Sequence, residues 1–192
     1  MSELIKNILR ESCDIKQKVI KDDVLINTVQ DVITACISAL SNGNKLLLAG
    51  NGGSASDAQH IAAELVGRYE KDRNGLPALA LTTNTSELTA ISNDYGYDNV
   101  FQRQIQALAR NGDVFFGLST SGNSRNVVNA IRQCKQLGVV TVAMTGESGG
   151  EMKTISDYCI NVPSSNTARI QEVHITIGHI ICKAIENSLF SE

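Results

Sequence analysis

The sequence predicts an α/β domain: a five-stranded parallel sheet with helices on both faces. From Lys45 onward, short apolar runs alternate with amphipathic stretches, which is typical of strands and helices that follow one another in such a sheet. The apolar runs, such as Leu46-Leu47-Leu48-Ala49, show no polar alternation, as expected of strands buried on both faces. The length of 192 residues, with no linker-like segment, predicts a single domain over residues 1–192.

The order of the elements follows from the spacing of apolar residues. We expect strands at residues 45–49, 78–81, 113–118, 139–144 and 158–162. We expect helices at residues 2–21, 24–40, 55–69, 86–92, 99–110, 123–137, 151–155 and 168–189. Ser2 with Glu3 is the predicted start of the first helix, and Asn42-Gly43 the predicted end of the second.

The two leading helices precede the sheet, so their apolar faces have two equally plausible uses. They pack either on another subunit or beside the core of their own domain. We expect residues 1–43 to support oligomerisation.

Composition excludes several classes of protein. A net charge of -3 argues against a nucleic-acid partner that needs a basic face. The first nine residues lack the pattern of a signal peptide, and no apolar run reaches the roughly 18 residues of a membrane span. The five cysteines are scattered and never in CxxC spacing, which favours reduced thiols in a cytoplasm and a role as buried filler.

A glycine-rich loop follows the first predicted strand. Gly50, Gly52 and Gly53 permit crowded or left-handed backbone, and Ser54 is a candidate cap for the next helix. Helix amides at such a loop suit a phosphate group. Glycine loops that serve packing alone are common, so this motif by itself is weak.

A second loop, Ser119-Thr120-Ser121-Gly122-Asn123-Ser124, places four hydroxyls just before a predicted helix. Hydroxyls and helix amides bind phosphate without using charge, which suits an acidic protein. The alternative is that these residues satisfy a turn and a cap. A third loop of this kind, residues 145–150, also follows an apolar strand, so all three lie at the sheet edge where α/β proteins bind ligands.

Two helices carry candidate metal ligands and bases. His60 and Glu64 are four residues apart on one helix face, a spacing that serves a metal, a proton-transfer base or a plain solvated surface. The last helix offers a further group of polar residues: Gln171, Glu172, His174 and His179. Spacing alone does not decide which of these point into a site.

Two more polar groups accompany the motifs. Arg68, four residues past Glu64, is positioned to orient that carboxylate, to meet a ligand anion, or to serve as a helix-end cation. Asn93-Asp94 and the tyrosines Tyr95 and Tyr97 form a polar patch after a predicted helix.

These motifs, in this order, resemble the SIS (sugar isomerase) domain family and, within it, the bacterial phosphoheptose isomerases. The resemblance covers essentially the whole chain and is carried by residues 50–54, 57–64, 67–69, 93–94, 118–124 and 169–174. It implies a single SIS domain with a Rossmann-like parallel sheet, and a homotetramer with active sites at subunit interfaces. It also implies conversion of D-sedoheptulose 7-phosphate, a phosphorylated seven-carbon sugar, to D-glycero-D-manno-heptose 7-phosphate through an enediol. That reaction is the first step toward activated heptose for lipopolysaccharide or capsule.

The resemblance also implies roles for individual residues. Substrate-binding positions would be Asn51, Gly52, Gly53, Ser54, Arg68, Asn93, Asp94, Ser119, Thr120, Ser121, Ser124 and Gln171. Glu64 and His179 match the acid/base pair, and His60, Glu64, Gln171 and His179 match a set that binds one zinc per subunit. Glu64 and His179 cannot be free bases while fully committed to zinc, so the role of the metal stays open.

Two rival interpretations remain at this stage. A SIS-fold adaptor that binds the replication initiator DnaA shares the serine loop, but it lacks a glutamate at the position of Glu64 and a histidine at that of His179. Both are present here, which favours an enzyme. An isomerase for another sugar phosphate is the second rival, since the residues do not report sugar length.

Overall fold

A computed structural model describes residues 1–190, and its centre is a parallel sheet of five strands in the order β2-β1-β3-β4-β5. The strands are β1 (Leu46–Gly50), β2 (Ala78–Ala80), β3 (Val114–Leu118), β4 (Val140–Thr145) and β5 (Tyr158–Asn161). The helices are α1 (Ser2–Ile20), α2 (Asp23–Ser41), α3 (Gly53–Val66), α4 (Thr85–Tyr95), α5 (Val100–Leu108), α6 (Arg125–Gln136), α7 (Gly150–Ile155) and α8 (Thr167–Leu189). The predicted fold class is confirmed.

The predicted elements are all present, and most boundaries differ by one to three residues. The largest difference is α3, which begins at Gly53 and ends at Val66 instead of spanning residues 55–69. A short 3-10 helix, Tyr97–Asn99, precedes α5 and was not predicted, since the expected helix began at residue 99. Residues 191–192 of the predicted domain lie outside the described residues.

Helix α1 begins at Ser2 as predicted, but that residue is not its cap. The N-cap of α1 is Met1, without a side-chain cap, so Ser2 does not start that helix by capping it. The side chain of Asp22 caps α2 by accepting a hydrogen bond from the Leu25 amide at 3.0 Å. The end of α2 is as predicted, with Asn42 as the C-cap and Gly43 at φ 77°.

Side chains alternate between two cores, one on each face of the sheet. Leu48 and Phe116 face a core shared with α2, α3 and α8, whereas Leu47 and Phe115 face a core shared with α5, α6 and α7. Both faces are therefore covered, which explains why the strands carry no polar alternation.

The two leading helices have different uses. In α2, Val32 and Cys36 are fully buried in the protein's own core. In α1 only Ile15 and Val19 are buried, while its first half leaves large apolar side chains exposed: Leu4, Ile5, Ile8 and Leu9. Packing on the chain's own core therefore accounts for α2 and for half of α1.

The prediction that no apolar segment reaches the length of a membrane span needs correction. Among residues 1–190, α2 is long and apolar enough to cross a membrane by length and composition alone, with a mean hydropathy of 1.5. Core helices of folded domains meet the same criterion, and α2 packs against the sheet as described above.

All five cysteines are free. Cys36, Cys134 and Cys182 are buried and fill the cores, as predicted, and burial raises the pKa of each thiol. The filler prediction is wrong for Cys13, which is exposed on α1.

Candidate active site

The strand order places a ligand crevice between β1 and β3. The chain leaves β1 toward β2 on one side and returns to β3 on the other, and such switch points are where open α/β sheets bind ligands. The glycine loop (residues 50–54) leaves β1 and the serine loop (residues 119–124) leaves β3, so both predicted loops border this crevice.

The glycine loop turns directly into α3. Gly52 is the N-cap at φ 57°, a conformation that side chains rarely adopt. The prediction that Ser54 caps this helix is wrong: Ser54 lies inside the first turn and is buried. A Cβ at Gly50 would lie 2.7 Å from the Ser54 carbonyl oxygen, so the strand can approach the helix this closely only through glycine.

The serine loop gathers three hydroxyls. Ser119 Oγ lies 2.8 Å from Ser124 Oγ and 3.4 Å from Ser121 Oγ, and Ser121 Oγ accepts a hydrogen bond from the Asn123 amide. Ser124 is the N-cap of α6, but its side chain does not cap the helix. The hydroxyls therefore converge at a helix N-terminus whose first amides remain available to an anion.

The loop between β4 and α7, together with the start of α7, is hydrogen-bonded to the serine loop. The Gly146 amide donates to the Thr120 carbonyl and the Met152 amide donates to the Gly122 carbonyl, both at 3.0 Å. Gly122 has φ 67°, and a Cβ there would collide with the Gly149 carbonyl. The third loop thus holds the second in shape.

Both loops and α8 line one cavity of about 280 Å³. Its lining includes most of the predicted substrate-binding residues: Asn51, Gly52, Gly53, Ser54, Ser119, Thr120, Ser121, Ser124 and Gln171. Leu118 and Thr167 also line it and were not predicted; Thr167 opens the helix that carries Gln171.

Asn51 is held in one orientation by its neighbours. Its amide exchanges two hydrogen bonds with the Asn126 amide, at 3.0 and 2.9 Å, and its Oδ1 also accepts from the Tyr97 hydroxyl at 2.9 Å. Tyr97 belonged to the noted polar patch but was not among the predicted site residues. No local signal indicates that it would reach a loop 46 residues away.

His60, Glu64 and His179 form a cluster that joins α3 to α8, hereafter the histidine cluster. His60 Nε2 lies 3.1 Å from Glu64 Oε1 and 3.4 Å from His179 Nε2. One ligand atom from each side chain lies within 4.8 Å of the other two. The structure therefore brings together the predicted acid/base pair and three of the four predicted metal ligands.

The donor set of this cluster fits a zinc ion. His60 Nε2 faces both a carboxylate oxygen and another imidazole nitrogen, and one ring nitrogen cannot bond well to both at once. Two imidazoles and a carboxylate are ligands that zinc accepts, with a further position open for another ligand.

Gln171, the fourth predicted metal ligand, lines the cavity near the start of α8. Its side chain packs against Gly53, where an added Cβ would lie 2.6 Å from Oε1. Along α8, eight residues separate it from His179, a rise of about 12 Å. A direct role for Gln171 at the metal stays a prediction.

Three predicted substrate-binding residues lie outside the cavity lining. Arg68 is exposed and donates to the Glu70 carbonyl at 3.4 Å; because α3 ends at Val66, Arg68 does not share a helix face with Glu64. Asn93 and Asp94 are exposed on α4 and hydrogen-bonded to each other at 2.8 Å. The structure of this single chain therefore does not assemble these three with the serine loop.

The remaining polar residues of α8 have structural partners. Glu172 pairs with Arg169, which also reaches Glu11 on α1 at 3.3 Å. His174 is fully buried, with Nε2 placed 3.2 Å from the Thr145 carbonyl. Neither residue belongs to the histidine cluster.

Comparison with known proteins agrees with this geometry. The SIS domain family model matches residues 10–146. Curated relatives include phosphoheptose isomerases from Aneurinibacillus thermoaerophilus, 53% identical over 99% of this chain and 96% of the relative, and from Sulfurimonas denitrificans, 53% identical over 100% and 98%. A solved structure of a phosphoheptose isomerase from Neisseria gonorrhoeae superposes with a TM-score of 0.91 at 43% identity, over 97% of this chain and 98% of that one. The chain therefore belongs to the SIS-domain family and, within it, to the phosphoheptose isomerases.

Proposed function

We propose that this chain is a phosphoheptose isomerase that interconverts D-sedoheptulose 7-phosphate and D-glycero-D-manno-heptose 7-phosphate, the first step toward activated heptose for lipopolysaccharide or capsule. The observation that carries the proposal is that two features occur together, one at the carboxyl edge of the sheet and one between helices α3 and α8. They are an anion pocket without cations and a histidine–carboxylate cluster. Relatives about 50% identical over the full chain bear the same name.

The anion pocket supports binding of the phosphate. The hydroxyls of Ser119, Ser121 and Ser124 and the first amides of α6 offer hydrogen-bond donors at a positive helix end. A terminal phosphate bound there leaves the sugar chain free to extend along α8. His179 lies about 12 Å further along that helix than Gln171, the residue that lines the pocket.

The histidine cluster supports the proton transfers. The isomerisation removes a proton from C1 of the ketose, moves the hydroxyl proton from O1 to O2, and returns a proton to C2, so that the bonding pattern shifts with no net gain or loss. Glu64 is the candidate base for the carbon-bound proton, and His179 is the candidate group that manages the oxygens. Holding both against the substrate carbonyl turns two difficult proton transfers into local ones.

Zinc is part of the proposal as one ion per subunit. His60, Glu64 and His179 would hold it, with Gln171 as the fourth protein ligand; when bound, the ion supplies Lewis acidity toward the sugar oxygens.

The metal test uses protein purified without chelator. Elemental analysis should find zinc near one equivalent, His60→Ala should reduce it strongly, and Lys135→Gln, at an exposed position in the last turn of α6, should leave it unchanged. Full turnover after complete chelation would contradict a catalytic metal.

Two further parts of the proposal concern assembly and location. The exposed apolar side chains in the first half of α1 support a homotetramer, because closed symmetry is the usual way to bury such a surface. Free cysteines and the overall resemblance favour the cytoplasm. Light scattering that returned a monomer mass at working concentration would contradict the tetramer.

The activity is tested by incubating the purified protein with a panel of five-, six- and seven-carbon ketose phosphates. We expect aldose product from sedoheptulose 7-phosphate in preference to the shorter sugars. Preference for a shorter sugar would reassign the substrate within the same reaction class. Absence of product from every ketose, with the fold intact, would favour a non-catalytic adaptor.

A further inference from the structure

We propose that Arg73 and Glu186 are positioning residues that hold α3 and α8 in the register at which the histidine cluster forms. Neither residue contributes a side chain to the cluster, and Arg73 contacts the backbone of one cluster residue, Glu64. Both act through the segment of residues 67–75 that connects α3 to β2, hereafter the strap. The role of these residues in placing the two helices can be tested without metal and without turnover. Their expected effect on kcat rests on the proposed isomerase function.

The Glu186 carboxylate organises the strap. It is 1% exposed and accepts hydrogen bonds from three successive backbone amides, those of Tyr69, Glu70 and Lys71, at 3.1, 2.9 and 2.7 Å. Burial alone would raise the pKa of Glu186, but these amides and Arg73 hold it below its usual range. The carboxylate is therefore charged and fully bonded, and it fixes the strap to α8.

The Arg73 guanidinium completes the connection to α3. Its Nε donates to Glu186 Oε2 at 2.9 Å, its Nη1 donates to the Leu65 carbonyl at 2.8 Å, and its Nη2 donates to the Glu64 carbonyl at 2.9 Å. Carbonyls in the last turn of a helix have no partner within the helix. One planar side chain thus caps the end of α3 and pairs with α8 at the same time.

Both helices carry the cluster one or two turns from this connection. Glu64 itself provides one of the carbonyls that Arg73 binds, so the backbone of a cluster residue is held directly. Glu186 follows His179 by seven residues, which places both on the same face of α8. Between them, the strap presents the Tyr69 ring to the His179 ring, with centroids 5.6 Å apart.

A buried ion pair is an unusual way to obtain stability alone. Both side chains are 2% exposed, and removing two charges from water offsets much of their attraction. An apolar pair of similar volume would often stabilise equally well, but it could not bind two carbonyls and three amides at once. The bonding pattern here sets direction and distance between two helices, which is what the cluster requires.

The test uses histidine spectra of 13C-histidine-labelled, chelator-treated protein. The chain has three histidines: His60 and His179 in the cluster, and His174, buried elsewhere on α8, as an internal reference. Asp113→Asn is the matched control, because Asp113 is a buried carboxylate just before β3 that pairs with Lys45 and accepts hydrogen bonds from the amides of Lys45 and Arg110. Glu186→Gln and Arg73→Lys are the test variants.

We expect Glu186→Gln to shift or broaden the ring signals of His60 and His179 while His174 stays in place, and Asp113→Asn to leave all three unchanged. Arg73→Lys, which keeps the charge but loses the planar fork, should produce the same pattern and decides the matter if Glu186→Gln does not fold. Unchanged cluster signals, or equal movement of all three histidines, would overturn the proposal.

A second readout separates this inference from the proposed reaction. In an active enzyme, Glu186→Gln should lower kcat about 10- to 100-fold while affinity for inorganic phosphate at the serine loop stays within about twofold of wild type. A protein without isomerase activity would contradict the proposed function, and the histidine spectra would still decide the positioning role. A phosphate affinity that falls together with kcat would overturn it, because the variant would then have disturbed the whole domain.

Discussion

The anion pocket and the histidine cluster are built in opposite ways. The pocket is formed largely by two short loops, each contiguous in sequence, whose hydroxyls and amides lie within a few residues of one another. The cluster joins residues 119 positions apart and depends on how two long helices pack. A local motif therefore carries its own geometry, whereas a cluster between helices is only as accurate as the packing around it.

This difference predicts different responses to mutation. Changes in the pocket should weaken binding in proportion to the hydrogen bonds removed, because each donor acts nearly alone. Changes in the cluster should stop the chemistry, because the groups act as a unit. The following predictions test this contrast, from the largest expected effect to the smallest.

The largest effect is expected from Glu64→Gln. Glutamine keeps the size of the side chain but cannot accept a proton from carbon, so product formation and exchange of solvent deuterium into the sugar should fall by about 10²- to 10⁴-fold or more. His179→Gln should lower kcat over a similar range. Inorganic-phosphate affinity should stay near wild type, as it should in the surface control Lys135→Gln. Wild-type deuterium exchange by Glu64→Gln would assign the base to another residue.

A smaller effect is expected when the pocket loses two hydroxyls. In the double variant Ser119→Ala, Ser121→Ala, KM should rise about tenfold or more, if each lost contact contributes about 1 kcal/mol. Zinc content should not change. Ser148→Ala is the matched control, since Ser148 is an exposed serine in the supporting loop and does not line the cavity. An unchanged KM for the phosphorylated sugar would remove the pocket from the phosphate site.

Acid should lower the stability of the folded protein through His174, which lies against Thr145 at the start of the loop that supports the serine loop. Burial lowers the pKa of His174 to about 4, although its bond to the Thr145 carbonyl opposes this shift. The unfolded chain therefore binds the proton first, so stability is complete above about pH 6.5 and falls by up to about 3 kcal/mol toward pH 4. His174→Gln should flatten this part of the pH–stability curve, measured by urea denaturation. An equally steep curve in the variant would assign the acid sensitivity to other groups.

The smallest effect is expected on the cluster side, at Asp57. Burial raises the pKa of Asp57 to about 6, with His60 opposing, and its Oδ2 has no hydrogen-bond partner among residues 1–190. Ionisation of Asp57 therefore lowers the free energy of unfolding, by an amount that grows as pH rises from about 4 to about 6. Asp57→Asn should raise the Tm by about 2–4 °C at pH 7 in chelator-treated protein, and the gain should vanish near pH 4. A lower Tm at pH 7 would indicate that the carboxylate has a stabilising partner.

Much of the fold and of the pocket could be predicted from the sequence. The unbroken apolar strands determined a sheet buried on both faces, and the alternation of elements determined that it is parallel. Because parallel strands place their carboxyl ends together, the glycine and serine loops had to lie at one edge. The spacing of His60 and Glu64 determined that they share a helix face.

Tertiary structure alone decided what lies between elements. Helix ends depend on partners outside the helix. Arg73, in the strap, binds carbonyls in the last turn of α3, and the early end of that helix removes Arg68 from the face of Glu64. The roles of Tyr97 and Glu186 arise from contacts 46 and more than 110 residues away, for which no local pattern exists. Local sequence sets which conformations are available, but only the packing of the whole chain sets which distant side chains meet.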